Sequence, residues 1–248
     1  KDSLSMRTVW RDGDEDKRVV APVSLIASAA APVRDVRGTL TPLLALEDGD
    51  TRLLLVDLAA GRQRLGGSML AQVSQQLGHD APDLDDPQRL KAAFLAVRAL
   101  AADGLALAVH DRSDGGLWAT LCEMAFASRT GLTINIDMLA LDPVAADWGD
   151  FKIRPEQVSV RRDEQTLRAL FNEELGLVVQ VRAAELSRAM TRLREFGLGA
   201  VTHVVAQPND RDLLEVWRDA KCVFSAPRVE LQQAWSEVSW RIARLRDR

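Results

Sequence analysis

Residues 105–138 read LALAVHDRSDGGLWATLCEMAFASRTGLTINIDM, and this stretch decides the fold class. Leu105–His110 is a short apolar run ending in polar residues, as a buried strand does. Asp111 to Gly116 is a polar turn with two glycines. Leu117 to Arg129 carries apolar residues at helical spacing, Gly131 stops it, and Leu132–Met138 is again strand-like. A strand, a glycine-rich loop, a helix and a strand in this order predict a sheet with a helix packed on it.

The same alternation extends outward. Arg52–Leu58, RLLLVDL, has an unbroken apolar centre, which predicts a strand covered on both faces. Gly61 to Ser68 is a loop leading into the helix-like MLAQVSQQLG. A helix over Gln88–Ala102 follows, with Leu90, Phe94, Val97 and Leu100 on one face. Beyond the opening stretch come a helix at Glu164–Glu174, a strand at Leu177–Val181, a helix at Ala184–Phe196 and a strand at Val201–Ala206. A hairpin follows, Leu213–Arg218 with Lys221–Phe224, then a helix at Val229–Arg246. The hairpin adds antiparallel pairing, so the prediction is a mixed sheet flanked by helices, α/β or α+β. The β-α-β-β-β-α tail from Leu177 is partly ferredoxin-like.

Toward the N-terminus, Ser5–Trp10 alternates as a half-buried strand does, Asp12–Arg18 reads as a charged turn, and Pro22–Ala31 as a strand. Arg34–Pro42 is a polar connection with room for one helical turn. Residues 141–163 break the rhythm and read as a loop excursion. The division expected is 1–20, a leading strand or the end of a preceding subdomain, and 21–248, one α/β domain. A chain that opens Lys-Asp-Ser-Leu-Ser-Met and ends on a helix at Arg248 reads as part of a longer polypeptide.

Composition excludes several function classes. Of 248 residues 47% are hydrophobic and 27% charged, with a formal net charge of −4, ordinary values for a globular domain. Mild acidity argues against nucleic acid as a partner, because no wide cationic face would neutralise phosphates. No apolar run reaches the roughly 20 residues of a membrane span, and no signal peptide opens the chain, so no membrane partner and a cytoplasmic location are expected. Cys122 and Cys222 both lie in apolar runs and read as buried thiols, neither paired nor metal-bound.

Three stretches carry residues suited to chemistry. In His110-Asp111-Arg112-Ser113-Asp114-Gly115-Gly116, the glycines allow close backbone approach to a ligand, and a helix N-terminus offers free amides to an anion. Asp111 at the strand end is placed to bind magnesium beside phosphates. Equally, Ser113 or Asp114 can simply N-cap the helix while the glycines make the turn. Gly66-Gly67-Ser68 after RLLLVDL has the strand–loop–helix form of a phosphate cradle, without a P-loop lysine. An ordinary tight turn explains it as well. Lys1-Asp2-Ser3-Leu4-Ser5-Met6 can contact a phosphorylated ligand or simply fray. The acids of Phe171-Asn172-Glu173-Glu174-Leu175-Gly176 either face a site or solvent. His79 and His203 are isolated, and no Ser/His/Asp or Cys/His constellation is evident, so no catalytic residue and no glutaminase centre is assigned.

Several of these pieces occur together in one family. KDSLSM, TLTPLL at Thr39–Leu44, LLLVDL with LGGS, HDRSDGG followed by LWATLCEMAFAS, and FNEELG resemble the second synthetase half of the large phosphoribosylformylglycinamidine synthases. The stretch around Pro143–Arg162 looks like an insertion relative to that pattern. Selenophosphate synthetases and thiamine-monophosphate kinases, of the same superfamily, lack HDRSDGG and FNEELG in this form. The resemblance implies a fold like the C-terminal domain of aminoimidazole ribonucleotide synthetase, within a glutamine-dependent ligase of purine biosynthesis. It also implies an auxiliary Mg2+–nucleotide (ATP or ADP) site. There Asp111 would be a metal ligand and Ser113 a nucleotide contact, with Asp114, Gly115, Gly116, Gly66, Gly67 and Ser68 around the phosphates. Its partners would be the remaining synthetase and glutaminase domains of the same polypeptide. The segment alone would be inactive, and it would be able to self-associate through faces those domains cover.

Overall fold

The computed structural model describes residues 2–33, 35–141 and 155–247, with only the backbone for 2–6, 21–26 and 155–160. It divides into two units, Lys1–Thr39 and Leu40–Arg248.

The first unit is a hairpin of β1 (Asp2–Asp12) and β2 (Glu15–Ile26), antiparallel, closed by a tight turn in which Gly13 takes φ +62°. A 3-10 turn at Val36–Gly38 follows, capped by the Asp35 carboxylate. The division expected after residue 20 is displaced here to Thr39. The charged run Asp12–Arg18 is mostly strand. Lys17 and Arg18 pair with Trp10 and Val9 as solvent-facing strand residues, so their charge marks exposure and not a loop.

The second unit is built on one seven-stranded sheet. In chain order come β3 (Thr51–Asp57), α1 (Met69–Val73), α2 (Pro87–Ala102), β4 (Ala108–Asp111), α3 (Gly116–Ser128) and β5 (Gly131–Asn135). Then follow α4 (Pro155–Phe171), β6 (Gly176–Arg182), α5 (Leu186–Glu195), β7 (Thr202–Asn209), β8 (Leu213–Arg218), β9 (Lys221–Pro227) and α6 (Arg228–Arg246). The strand order is β4-β6-β3-β7-β5-β8-β9, antiparallel except for β5 with β8. β6 and β7 both run antiparallel to the intervening β3, so β6-α5-β7 is a split βαβ unit. The mixed α/β sheet expected from the sequence is what forms.

β3 shows why RLLLVDL reads as a two-sided strand. Leu53 and Leu55 point into a core with Leu117, Leu121, Ile134 and Val216; Leu54 and Val56 point the other way, against Ala93, Ala96, Leu100 and Leu193. One core thus lies under α3, the other under α2 and α5. Each such leucine, removed from water, contributes roughly 1.5–3 kcal/mol. α2 begins where the sequence directs it: the Asp86 carboxylate accepts the Gln88 and Arg89 amides, and Pro87 occupies the first turn.

Two expectations need correcting. Residues 155–163, read as loop, belong to α4, because a charged run of Glu, Gln and Arg is a helix former as well as a solvated one. The remainder of the expected 141–163 excursion, 142–154, lies outside the described residues. Cys222, read as buried, is partly exposed on β9, whereas Cys122 is buried. On α6, Leu231 packs on the core and Trp235 lies tilted against Phe126 at 5.9 Å. Trp235, Val238, Ile242 and Leu245 then form an exposed stripe, with Trp240 off it beneath the Arg244 guanidinium.

Candidate functional site

Asp111 ends β4, where the strand gives way to the turn into α3. Its backbone is tied to the helix: Thr120 Oγ1 donates to Asp111 O at 3.3 Å and to Gly116 O at 3.0 Å. Its carboxylate is 80% exposed. It stands at the rim of a cavity of about 560 Å³ whose walls include Pro42, Leu58, Phe94, Val97, Arg98 and Leu175. The side chain is therefore open to a ligand, as a metal-binding role requires. The Thr41–Pro42 stretch forms one bank of this cavity, held to the sheet edge by Val109 N donating to Thr41 O at 3.0 Å.

The turn itself is glycine-dependent. Gly115 (φ +83°) is the N-cap of α3 and makes no side-chain cap bond, so neither Ser113 nor Asp114 caps the helix as the plain reading allowed. Gly116 has φ +69°, and a Cβ there would stand 2.5 Å from Asn172 O. Only glycine lets the end of α4 approach this closely. Ser113 and Asp114 are both exposed beside Asp111.

The second glycine loop is internally saturated. Gly66 N donates to Asp80 O (2.6 Å), Gly67 N to Leu77 O (2.7 Å) and Ser68 N to Leu65 O (3.2 Å). Ser68 is buried, and its hydroxyl caps α1 through Ala71 N. Gly66, Gly67 and Ser68 therefore form a structural turn. The phosphate-cradle reading is corrected here for physical reasons: these amides have carbonyl partners already, and a five-residue helix adds little dipole.

FNEELG joins the two loops. Glu173 Oε1 accepts both the Met69 amide (2.7 Å) and the Gly115 amide (2.8 Å). Glu174, fully buried, takes Arg64 Nε at 2.6 Å, and Arg64 reaches on to Asp85 at 2.7 Å. Hydrogen bonding to Glu174 pushes the Arg64 pKa up. Arg112, in the middle of the DRSDGG turn, points inward to Asp57 (2.7 Å) and to the Glu174 and Leu175 carbonyls. Sequence reasoning missed Arg64, Arg112 and Asp57. Their signal was present in an aspartate closing the apolar run of β3, which needs a buried cation. Lys1 lies outside the described residues, and nothing further attaches to the KDSLSM stretch.

His110 Nε2 lies 3.0 Å from Glu123 Oε2 on α3, and its Nδ1 lies 3.3 Å from Asp111 Oδ1. Among the described residues no group of three or more His, Cys, Asp or Glu is arranged to hold a metal ion. Asp111 nevertheless suits magnesium as a single ligand, because that ion is commonly held by one or two carboxylates plus phosphate oxygens and water. No described helix is long and apolar enough to cross a membrane.

Residues 48–216 match the family model described as AIR synthase related protein, C-terminal domain. The chain belongs to this family. Residues 1–32 match a second model, the FGAR-AT PurM_N-like domain, which covers the hairpin unit. Among solved structures, the AIR synthase related fold recurs in Thermotoga maritima PurL. The form complexed with FGAR matches at a TM-score of 0.57 and 17% identity, over 79% of this chain and 30% of that one. The form complexed with ADP matches at 0.53 and 15%, over 78% and 27%. The ATP complex gives 0.52 and 16%, over 78% and 27%. The chain thus spans less than a third of those proteins, and at these identities the likeness is one of fold.

Proposed function

We propose that this AIR synthase related chain serves within a phosphoribosylformylglycinamidine synthase of purine biosynthesis, where it contributes Asp111 to an auxiliary Mg2+–nucleotide site and catalyses nothing alone. The observation that carries the reading is the exposed Asp111 carboxylate at a strand end, beside Ser113, Asp114 and a cavity large enough for a small ligand. The nucleotide would be ATP or ADP, in keeping with what the PurL structures are described as holding. The bound ion would screen polyphosphate charge, and Asp111 would hold it. The other ion ligands, the glutamine-dependent chemistry and the glutaminase nucleophile would come from the remaining synthetase and glutaminase domains of the same cytoplasmic polypeptide. Ser113 and Asp114 are the nucleotide contacts proposed. Gly115 and Gly116 shape the loop that presents them.

Titrating ADP with and without Mg2+ into the full-length polypeptide, wild type and Asp111→Asn, tests this. The reading requires a magnesium-dependent component that the substitution removes. Equal binding by both proteins overturns it.

A second reading is favoured by one observation, the exposed stripe of Trp235, Val238, Ile242 and Leu245 on α6. An apolar surface of this kind fits a non-catalytic packing module that docks on neighbouring domains or on a second copy. Sedimentation velocity of wild type against Trp235→Ser/Ile242→Ser reads this directly, and a concentration-independent monomer in both removes the self-association part.

A further inference from the structure

We infer that Glu173 is a built-in anion that closes the leading amide of α3 to phosphate, so that the Asp111 loop takes a polyphosphate only together with a cation. This rests on the Asp111 reading above and deepens it, by naming the residue that sets the metal requirement of that site.

A glycine turn leading into a helix attracts anions because its amides are free and the helix dipole favours negative charge. Here that position is already filled. Glu173 Oε1 accepts the Gly115 amide at 2.8 Å, at the N-cap of the 13-residue α3, and the Met69 amide at 2.7 Å. Two amides from separate loops thus converge on one carboxylate oxygen, which shows that the pair takes an anion. Bonds of this charge-assisted kind are roughly twice as strong as neutral ones, and a phosphate oxygen seeking the same amides has to displace them. The next amide, Gly116 N, is bonded inside the turn to Ser113 O at 2.9 Å.

The charge balance around the loop points the same way. Arg112 is turned inward onto Asp57 and two carbonyls, and Arg64 onto Glu174 and Asp85. Both cations are therefore matched by acids of the fold. What the turn offers outward is Asp111 and Asp114, both exposed, with the half-buried Glu173 bonded to it. Three carboxylates repel a bare polyphosphate, and a divalent cation reverses that balance. Arg98, on the wall of the adjoining cavity, is free to meet a phosphate directly, so the role of Glu173 is read at its two amides.

The test uses the whole chain, which holds both amides and their acceptor. Inorganic pyrophosphate, with EDTA present, is titrated into wild type, Glu173→Ala and Glu173→Gln while amide NMR resonances are followed. Sodium chloride at matched ionic strength is the control. In wild type the Met69 and Gly115 resonances stay unmoved. In Glu173→Ala both shift together and saturably, with pyrophosphate affinity about tenfold above wild type. Glu173→Gln, whose amide oxygen keeps both bonds, leaves them unmoved. Pyrophosphate also raises the Tm of Glu173→Ala and not that of wild type. If the variant is unfolded without ligand, the same comparison is read as recovery of the native spectrum. A cap with a purely structural role predicts none of these gains. Shifts of the two amides in wild type overturn the inference, and so does a Glu173→Ala variant with neither shift nor stabilisation beyond the chloride control. No step involves Mg2+ or Asp111, so an Asp111 site that fails its own Mg2+ titration leaves the Glu173 result standing.

Discussion

Arg112 and Asp57 form an ion pair of 2.7 Å with side-chain exposures of only 2% and 6%. It fastens the turn after β4 to the end of β3, two strands that β6 separates in the sheet. Arg112→Ala would leave Asp57 buried without a cation and the Glu174 carbonyl without its donor, while the Leu175 carbonyl keeps the Leu58 amide. Loss of one partner of such a pair costs about 3–5 kcal/mol. Urea denaturation of Arg112→Ala is expected to show that loss, with Arg112→Lys intermediate because it lacks the planar fork.

Glu173 offers a second, more local prediction. Its one oxygen receives amides from α1 and from the α3 turn. Glu173→Ala removes an acceptor shared by two donors and should destabilise by about 1–3 kcal/mol. Glu173→Gln keeps an acceptor oxygen and should lose less. Hydrogen exchange gives the specific signature: the Met69 and Gly115 amides accelerate together in Glu173→Ala, while the Gly66 and Gly67 amides, bonded to carbonyls, do not.

His203 on β7 sets a pH dependence. Partial burial depresses its pKa below the ordinary value of 6.5, and the Asp57 charge opposes this only in part. In the window between the depressed folded value and 6.5, the unfolded chain binds a proton that the folded one refuses. Its stabilising contribution is intact above 6.5 and declines as the pH falls through that window. In His203→Gln that part of the acid loss disappears, so the stability–pH curve just below 6.5 is flatter than in wild type.

The two thiols should separate cleanly. Cys122 is buried in α3, and burial, reinforced by the neighbouring Glu123 charge, pushes its pKa up. Cys222 is partly exposed on β9. A thiol reagent at neutral pH should modify Cys222 in the native protein and reach Cys122 only on unfolding. Fast native labelling of both would contradict the packing of α3.

Much of the fold was legible because the apolar patterns are strong. RLLLVDL could only be a strand with two covered faces, and the glycines and acids around it marked the boundaries. The end of the 141–163 excursion was misread because charge was taken as a sign of loop, when Glu, Gln and Arg at 155–163 are equally at home on a helix. For the candidate site, the position of Asp111 between strand and glycines was readable, and its carboxylate is exposed there. What stayed hidden was long-range pairing. Glu173 and Glu174 meet residues more than 50 positions away, and no local pattern records such a partner. The Gly66–Ser68 loop misled in the opposite sense, because its amides are satisfied by Asp80 and Leu77, residues that sequence proximity does not single out.

The strand order also bears on how the polypeptide is made. β3 leaves the ribosome well before either of its neighbours, because β6 and β7 lie beyond residue 175. Leu53 to Val56 must therefore wait for more than 100 further residues before either edge can be paired. Throughout that interval a bare, apolar edge is available to the wrong partner. Truncations that stop before Gly176 should accordingly aggregate, and the nascent chain should lean on chaperones until β7 arrives.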